Sequence, residues 1–468
     1  MNDLSSNYTE RITKNSSWAM VNFILTGTIY FIVSVLLARY LGREQYGVYT
    51  YFMWFISIGA ILGGFGLNQT MTKYLPDYFF SKDAPFGRGT VLASPRLGLE
   101  EKKPQANKLF QILLIAQIIS GVLTMLIFLM LTGFLSLITN FSGVPAGTMF
   151  FVAALTIVPL TINNLCASAI SALQQFKKLT LIQTGLAAIS FTVITFFMLV
   201  HGNIIILFWL ILGINLSFTI PFLLTLKKLL QKSRSSSVSA KLPIKKLLRY
   251  SLLSYIMILF SQIAWDKSEI FFLGKFSNAS QIALYSLAYS MALLMAGFFA
   301  AVNNVLNYTT AEIVTHHKDE TLKYISEHVC KYLALLMFPA VIYITLFMKD
   351  IVILFYGEKF ALSALLFPLL AIGHLVGIMI SPANNVPMYK NEIHKIMLIT
   401  VAAGILNILL DLLIVPSHQA FGAAIANTFA QFFYIGLILL NARKYRLGIF
   451  NRYMLRIIGI NLILAILA

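Results

Sequence analysis

The sequence predicts an all-α protein that crosses a membrane about twelve times, and three observations lead to this prediction. Of the 468 residues, 59% are hydrophobic and only 11% are charged, whereas soluble globular proteins carry about 45–50% apolar and about 25% charged residues. Apolar stretches long enough to cross a bilayer as helices recur along the chain. Among the segments that connect these stretches, segments rich in lysine and arginine alternate with segments that contain few of them. Soluble, disordered, collagen-like and disulfide-rich classes are excluded by the same composition.

Twelve apolar stretches have the roughly 20 residues that a helix needs to cross the hydrocarbon core. They lie at residues 17–38, 50–75, 109–135, 150–173, 180–200, 204–226, 250–273, 285–308, 330–348, 362–388, 393–415 and 421–440. The first six stretches form a predicted N-terminal lobe at 1–226, and the last six form a C-terminal lobe at 250–440. A basic, serine-containing linker at 227–249 separates the lobes, and a basic segment with a short apolar tail follows at 441–468.

The positions of the basic residues predict the orientation of the chain. With the N-terminus on the cytoplasmic side, 29 of the 35 lysines and arginines fall on inner segments, 5 fall on outer segments, and Lys267 falls within a span. This asymmetry is the positive-inside pattern of membrane proteins. We therefore read the net charge of +18 as an orientation signal that also favours anionic lipid headgroups, not as a nucleic-acid site.

The two predicted lobes resemble each other at an offset of 236 residues. The matching positions include 37–40 with 273–276, Gln45 with Gln281, Tyr49 with Tyr285, and Asn68 with Asn304. Because each lobe has an even number of spans, both lobes enter the membrane from the same side and form parallel repeats. We expect two six-helix repeats around a central cavity, an architecture that favours transport by alternating access.

Three charged residues, Asp266, Lys267 and Glu269, lie within the predicted seventh span. Such groups cost about 2.5–3.5 kcal/mol each on insertion scales, so they normally face a bundle interior or a wet cavity. Gln262, Asp266 and Glu269 share one helical face, while Lys267 points about 100° away. Our hypothesis is that Lys267 binds a pyrophosphate-like headgroup, while Asp266 or Glu269 couples to a cation or tunes Lys267. The alternative is an ion-pair network that only stabilises helix packing.

Other polar residues are weaker candidates. The candidates for the cavity lining are Gln262, His374, Asn304 and Asn385, and the further candidates for headgroup binding are Arg39 and Lys275. Arg39 and Lys275 lie at the outer ends of their spans, where long cationic side chains commonly reach the interface. We expect Asn407 to form hydrogen bonds between helices, and Asp411, five residues before Pro416, to be solvated near the outer interface.

The sequence contains no motif of an enzyme or of a nucleotide-binding protein. Walker A loops, dinucleotide fingerprints, nucleophile elbows and metal-ligand clusters are all missing. Cys166 and Cys330 show no ligand spacing and are expected to be buried apolar fillers. The predicted external connections, such as 136–148 and 201–203, are short, which disfavours a membrane-embedded polymerase or glycosyltransferase. We therefore expect a protein that is not an enzyme and that binds no cofactor or metal.

Three pairs of segments resemble the polysaccharide transporter flippases of the multidrug/oligosaccharidyl-lipid/polysaccharide exporter superfamily. They are LLARYLG (36–42) with YGVY (46–49), DKSEIFFLG (266–274) with LYSLA (284–288), and LNILL (406–410) with Pro416 and FGAAIA (421–426). The resemblance extends over nearly the whole chain in order and spacing.

The resemblance implies a flippase that moves an undecaprenyl-pyrophosphate-linked oligosaccharide from the inner to the outer leaflet of a prokaryotic cytoplasmic membrane. Its product would serve O-antigen (lipopolysaccharide), capsule or exopolysaccharide assembly, with polysaccharide polymerases and glycosyltransferases as partners. Relatives carry cationic groups in a central cavity and are driven by ion gradients. The alternative within the superfamily is a multidrug or toxin extrusion antiporter, which an acid-rich N-terminal lobe would favour. The predicted first six spans contain no interior carboxylate.

Overall fold

The computed structural model describes most of the chain and is mainly helical. It covers residues 2–79, 103–138, 141, 145–231, 242–262, 268–315, 319–390, 392–449, 456, 459 and 461. Within these ranges no strand occurs. The apolar stretches form helices because a helix satisfies its own backbone hydrogen bonds, which lipid cannot do.

Thirteen α-helices are found within the described ranges. They are α1 (Asn2–Gly64), α2 (Leu67–Phe79), α3 (Lys103–Ile138), α4 (Ala146–Ala172), α5 (Phe176–Leu199), α6 (Ile204–Gln231), α7 (Ile244–Gln262), α8 (Ser268–Phe276), α9 (Ala279–Thr315), α10 (Asp319–Tyr356), α11 (Ser363–Met379), α12 (Ser381–Tyr389) and α13 (Ile393–Ala442). Helices α6 and α7 thus extend into the predicted linker from both sides, and residues 232–241 between them lie outside the described ranges.

Two helices each extend over parts of two predicted spans, separated by one residue with non-helical geometry: α13 contains both of its spans, whereas the second span in α1 continues into α2. The break in α1 lies at Gly42 (φ 70°, ψ 173°), and the break in α13 lies at Gln419 (φ 50°, ψ −129°). The pair α11 and α12 is bent by 49°. Among the described residues, eight helices are long and apolar enough to cross a membrane, or nine if this bent pair is one span.

Once these breaks are considered, helices of the described ranges lie in all twelve predicted spans. Helix α1 with α2 and helix α13 supply two spans each, α11 with α12 supplies one, and α7 with α8 supplies the seventh span. Residues 263–267 of that seventh span lie outside the described ranges. The all-α polytopic fold predicted from the sequence is confirmed, and the layout of two six-helix repeats is consistent with it.

The first of two compact units contains Met1–Leu36 and Phe52–Leu259. Its central helix α4 packs against α2, α3 and α6. Near one end of α4, Phe150 lies between Phe52 and Phe55, with ring centroids 4.8 Å apart in both pairs. At the turn between α1 and α2, the Oγ of Ser251 in α7 donates a hydrogen bond of 2.6 Å to the backbone oxygen of Phe65. This bond joins the beginning of the seventh span to the first unit.

The second unit contains Leu37–Tyr51 and Phe260–Ala468. Within it, α11 packs against α9, α10 and α13, and α13 also packs against α8. The segment 37–51 lies close to α8 and α9, because a Cβ atom at Gly47 would overlap the backbone of Ala279 and one at Gly274 would overlap the ring of Tyr51. Glycine at these two positions therefore permits the close helix approach.

Candidate functional site

The beginning of helix α8 places two polar side chains in the interior of the second unit. Ser268 is 5% exposed and Glu269 is 0% exposed, although both lie in an apolar helix. A buried carboxylate is costly unless donors surround it. The hydrogen-bond donors around Glu269 therefore determine whether its carboxylate can be charged at this position.

Two amide side chains from α13 donate to the same oxygen of Glu269. The Nδ2 atoms of Asn407 and Asn427 lie 2.9 Å and 2.6 Å from Oε1 of Glu269. Hydrogen bonds to an ionised acceptor are shorter and roughly twice as strong as neutral ones. The two asparagines come from opposite sides of the break at Gln419, so Glu269 joins the predicted eleventh and twelfth spans to the seventh.

Asp411 is a second buried carboxylate in this cluster, and the expectation that it is solvated is wrong. Its side chain is 0% exposed, and its Oδ2 accepts a hydrogen bond of 2.8 Å from the Oγ of Ser268. The expectation failed because Pro416 does not end the helix. The first part of α13 continues to the break at Gln419, which leaves Asp411 about two turns inside the helix end.

Ser268 and Asn407 connect the two carboxylates. Besides its bond to Glu269, Nδ2 of Asn407 lies 3.0 Å from the Oγ of Ser268, which confirms that Asn407 forms hydrogen bonds between helices. Oδ1 of Asp411 has no hydrogen-bond donor among the described residues. Asp411 thus presents a buried carboxylate oxygen that a proton or a small cation can satisfy. We call Ser268, Glu269, Asn407, Asp411 and Asn427 the carboxylate cluster.

The chain matches the family "Polysaccharide biosynthesis protein" over residues 12–307, which is more than half of its length. The protein belongs to this polysaccharide biosynthesis family. Its expected membership of a polysaccharide transporter family is confirmed.

Solved structures of transporters share the fold of this family member. The lipid II flippase MurJ in an inward closed conformation has a TM-score of 0.69 at 15% identity, over 97% of both chains. An inward-facing multidrug resistance MATE family transporter of the MOP superfamily also has a TM-score of 0.69, at 14% identity over 90% of this chain and 94% of that one. A MOP superfamily transporter from Pyrococcus furiosus reaches 0.57 at 14% identity, over 94% and 95% of the two chains.

One sequence relative is the uncharacterized membrane protein MJ1068 of Methanocaldococcus jannaschii. It is 30% identical over 71 residues, which are 15% of this chain and 14% of the relative. The match therefore spans about a seventh of that protein and shows a common membrane-protein segment.

The structure places the predicted cationic residues of this family member away from the carboxylate cluster or outside the described ranges. Asp266 and Lys267 lie in the undescribed residues 263–267. The guanidinium of Arg39 donates to the backbone oxygens of Leu354 and Phe355, the latter 2.6 Å away. These are carbonyls of the last turn of α10, where a cation also interacts favourably with the helix dipole.

Lys275 and the weaker cavity candidates are distributed over several helices. Lys275 is exposed, with its Nζ 5.1 Å from the ring centroid of Phe276. His374 is half-buried in α11, its ring 5.4 Å from that of Tyr289. Gln262 and Asn385 are half-buried, and the side chain of Asn304 lies outside the described residues.

Sequence reasoning missed two members of this region, Asn427 and Gln431. The Nε2 of Gln431 donates to Oδ1 of Asn427 at 2.5 Å, and both side chains are buried. A spacing signal was present, since Asn407 with Asp411 and Asn427 with Gln431 are both i, i+4 pairs that share a helix face. Cys166 and Cys330 are buried free cysteines, as expected.

Proposed function

We propose that the protein is a flippase that moves an undecaprenyl-pyrophosphate-linked oligosaccharide from the inner to the outer leaflet of a prokaryotic cytoplasmic membrane. The observation that carries the proposal is the family match over residues 12–307. The fold similarity to the lipid II flippase MurJ over 97% of both chains adds support. The translocated oligosaccharide would then be polymerised into O-antigen, capsule or exopolysaccharide.

In this proposal, Lys267 binds the pyrophosphate of the lipid carrier, with Arg39 and Lys275 as further cations. A cation in the middle of a span is costly and is commonly part of a substrate pathway. The hydrogen bonds of Arg39 to the end of α10 favour a structural role for this residue first. Lys267 is therefore the cation on which headgroup binding depends most.

We further propose that transport is coupled to an ion through Glu269, with Asp266 and Asp411 as further acids. The support is the burial of Glu269 and Asp411 and the hydrogen bonds by which Ser268 and Asn407 link them. Two carboxylates in one buried cluster favour uptake of positive charge, because like charges in a low dielectric repel each other. The coupling ion is a proton or sodium.

A multidrug or toxin extrusion antiporter is the second candidate function. The MATE transporter structure matches this chain with the same TM-score as MurJ. The discriminating feature is the N-terminal lobe, because its predicted spans contain no interior carboxylate to hold a cationic drug. A polymerase or glycosyltransferase is disfavoured by the short predicted external connections.

Reconstitution into vesicles tests the proposed function. A fluorescent undecaprenyl-pyrophosphate oligosaccharide is added to the vesicles, and a membrane-impermeant quencher reports the fraction in the outer leaflet with time. We expect the protein to accelerate exchange of this lipid but not that of a fluorescent phosphatidylethanolamine. Transport of an amphipathic cationic dye without movement of the lipid-linked oligosaccharide would establish the antiporter instead.

A further inference from the structure

Gln431 lies next to the carboxylate cluster and is hydrogen-bonded to its member Asn427. Its Nε2 donates to Oδ1 of Asn427 at 2.5 Å, and Nδ2 of Asn427 donates to Oε1 of Glu269 at 2.6 Å. Gln431 is 6% exposed and Asn427 is 0% exposed, so water does not compete for these bonds. The three side chains form a directional series of hydrogen bonds that ends on the carboxylate.

The direction of this series depends on Gln431. An amide has a donor end and an acceptor end, and Asn427 must present its donor end to Glu269. If the Asn427 amide reversed, its oxygen would face the carboxylate and its NH2 group would face the NH2 group of Gln431. Both contacts would be repulsive. Gln431 therefore holds Asn427 in the orientation that stabilises the carboxylate.

Gly373 in α11 confines Gln431 from the other side. A Cβ atom at Gly373 would overlap Oε1 of Gln431, so only glycine leaves room for this amide. One turn earlier on α11, the backbone oxygen of Leu369 accepts a hydrogen bond of 2.8 Å from Oγ1 of Thr428, the residue next to Asn427. The backbone of α11 and the side chain of Gln431 are thus held in one arrangement.

We infer that Gln431 and Gly373 are positioning residues that set the affinity of the Glu269 site for the coupling ion. Neither residue reaches the carboxylate itself; each acts through the orientation of Asn427. Residues that orient direct ligands commonly change ion affinity by about 10–100-fold when they are mutated. The inference rests on the ion coupling proposed above, but it does not depend on the identity of the transported lipid.

The test uses ion-induced thermal stabilisation of the purified full-length protein in detergent. The melting temperature is measured against NaCl at fixed pH, with KCl keeping the ionic strength constant, and against pH at fixed NaCl. A ligand that binds only the folded state raises the melting temperature according to its affinity. The midpoint of the wild-type curve is the reference for each variant.

We expect Gln431→Ala to weaken ion binding about tenfold. The midpoint should move to a NaCl concentration about tenfold higher if the ion is sodium, or to a pH about one unit lower if the ion is a proton. Gly373→Ala should shift it similarly, because the new methyl group displaces the amide of Gln431. The matched control is Gly377→Ala, one turn further along α11, where a Cβ atom would meet nothing within 4 Å. Its midpoint should stay at the wild-type value.

A double-mutant cycle separates positioning from general damage to packing. In Gly373→Ala/Gln431→Ala, the two atoms that the new methyl group overlaps most, Oε1 and Cδ of Gln431, are gone and a contact of 3.2 Å to the Cβ atom of residue 431 remains. The double variant should therefore lie close to Gln431→Ala alone. Additive shifts would overturn the inference, as would unchanged midpoints in both single variants or a wild-type protein that responds to neither ion. Ion-induced stabilisation without lipid movement in the vesicle assay would instead refute the proposed substrate and leave the inference standing.

Discussion

At the scale of single residues, the central feature is a pair of fully buried carboxylates that the neutral side chains of Ser268 and Asn407 link by hydrogen bonds. Glu269 accepts from two asparagine amides, and Asp411 accepts from Ser268. Because Oδ1 of Asp411 meets no hydrogen-bond donor among the described residues, this carboxylate can respond to a mobile cation.

Neutral, nearly isosteric substitutions test this pair. Glu269→Gln and Asp411→Asn each remove one negative charge while keeping size, so we expect transport and ion-induced stabilisation to fall at least about tenfold. Membrane abundance should stay near the wild-type level because the packing is retained. The control is Glu358→Gln at an exposed position. Wild-type transport in Glu269→Gln would rule out Glu269 as the coupling residue.

A second residue-scale prediction concerns Glu392, which lies just before α13 and outside the spans. Its carboxylate binds Lys444 and lies 3.5 Å from Nζ of Lys395, and these cations hold its pKa below the ordinary value. Because the folded pKa is lower than the unfolded one, the network contributes stability above the usual glutamate pKa, about 4.3. That contribution disappears as the pH falls through the lower folded pKa.

The melting temperature of the wild-type protein should therefore fall more steeply on acidification than that of Glu392→Gln. The difference should be confined to the pH range around and below the ordinary glutamate pKa, and high salt should reduce it. Parallel curves for the two proteins in low salt would show that the network contributes nothing.

At the scale of elements, the two broken helices show how much the sequence predicts. The length of the apolar stretches predicted the helices, because a helix exposed to lipid must be apolar over its whole span. The break in α1 coincides with Gly42, a residue that adopts positive φ without strain. The break in α13 occurs at Gln419 instead of at Pro416, and this shift buried Asp411 against expectation. A proline within an apolar stretch does not by itself end a helix in a membrane.

The candidate site was predictable only in part. Glu269 was found because a carboxylate in an apolar span is costly. Asn427 and Gln431 carry no charge, and polar amides in spans commonly serve only as contacts between helices. Their role depends on tertiary neighbours that no local pattern specifies.

The geometry at Gln419 predicts a stabilising substitution. A glutamine at φ 50° and ψ −129° is strained, and its side chain is exposed, so Gln419→Gly should raise the unfolding free energy by about 1 kcal/mol. Ser417→Gly, two residues earlier in the helix, should instead lower it. Thermal denaturation in detergent compares the two. Destabilisation by both glycines would contradict the strained geometry.

The close approach of the segment 37–51 to α9 predicts a destabilising substitution. Gly47→Ala should lower the unfolding free energy by about 1–3 kcal/mol, because its methyl group would overlap the backbone of Ala279 and the helices must separate. The matched control is Gly27→Ala in the same helix α1, where a Cβ atom would meet nothing within 4 Å. Equal melting temperatures for the two variants would argue against the contact.

At the scale of the whole molecule, the distribution of basic residues predicts the topology. Reporter fusions after Gln231 and after Arg446 should be active only as cytoplasmic reporters, and a fusion after Asn278 only as an external one. The reason is the concentration of 29 of 35 basic residues on the predicted inner segments. An external reporter active after Gln231 would reverse the orientation and with it the proposed direction of transport.

The assignment of residues 37–51 to the second unit has a consequence for gene exchange. In a chimera joined at the predicted linker, the second unit would contain residues 37–51 from one homologue and the C-terminal half from another. The two halves of the sequence therefore cannot diverge independently, because a substitution near Gly47 must remain compatible in packing with helices of the C-terminal half. We expect functional hybrids only when residues 37–51 come from the same homologue as the C-terminal half. The segments that must be inherited together are therefore not contiguous in the sequence.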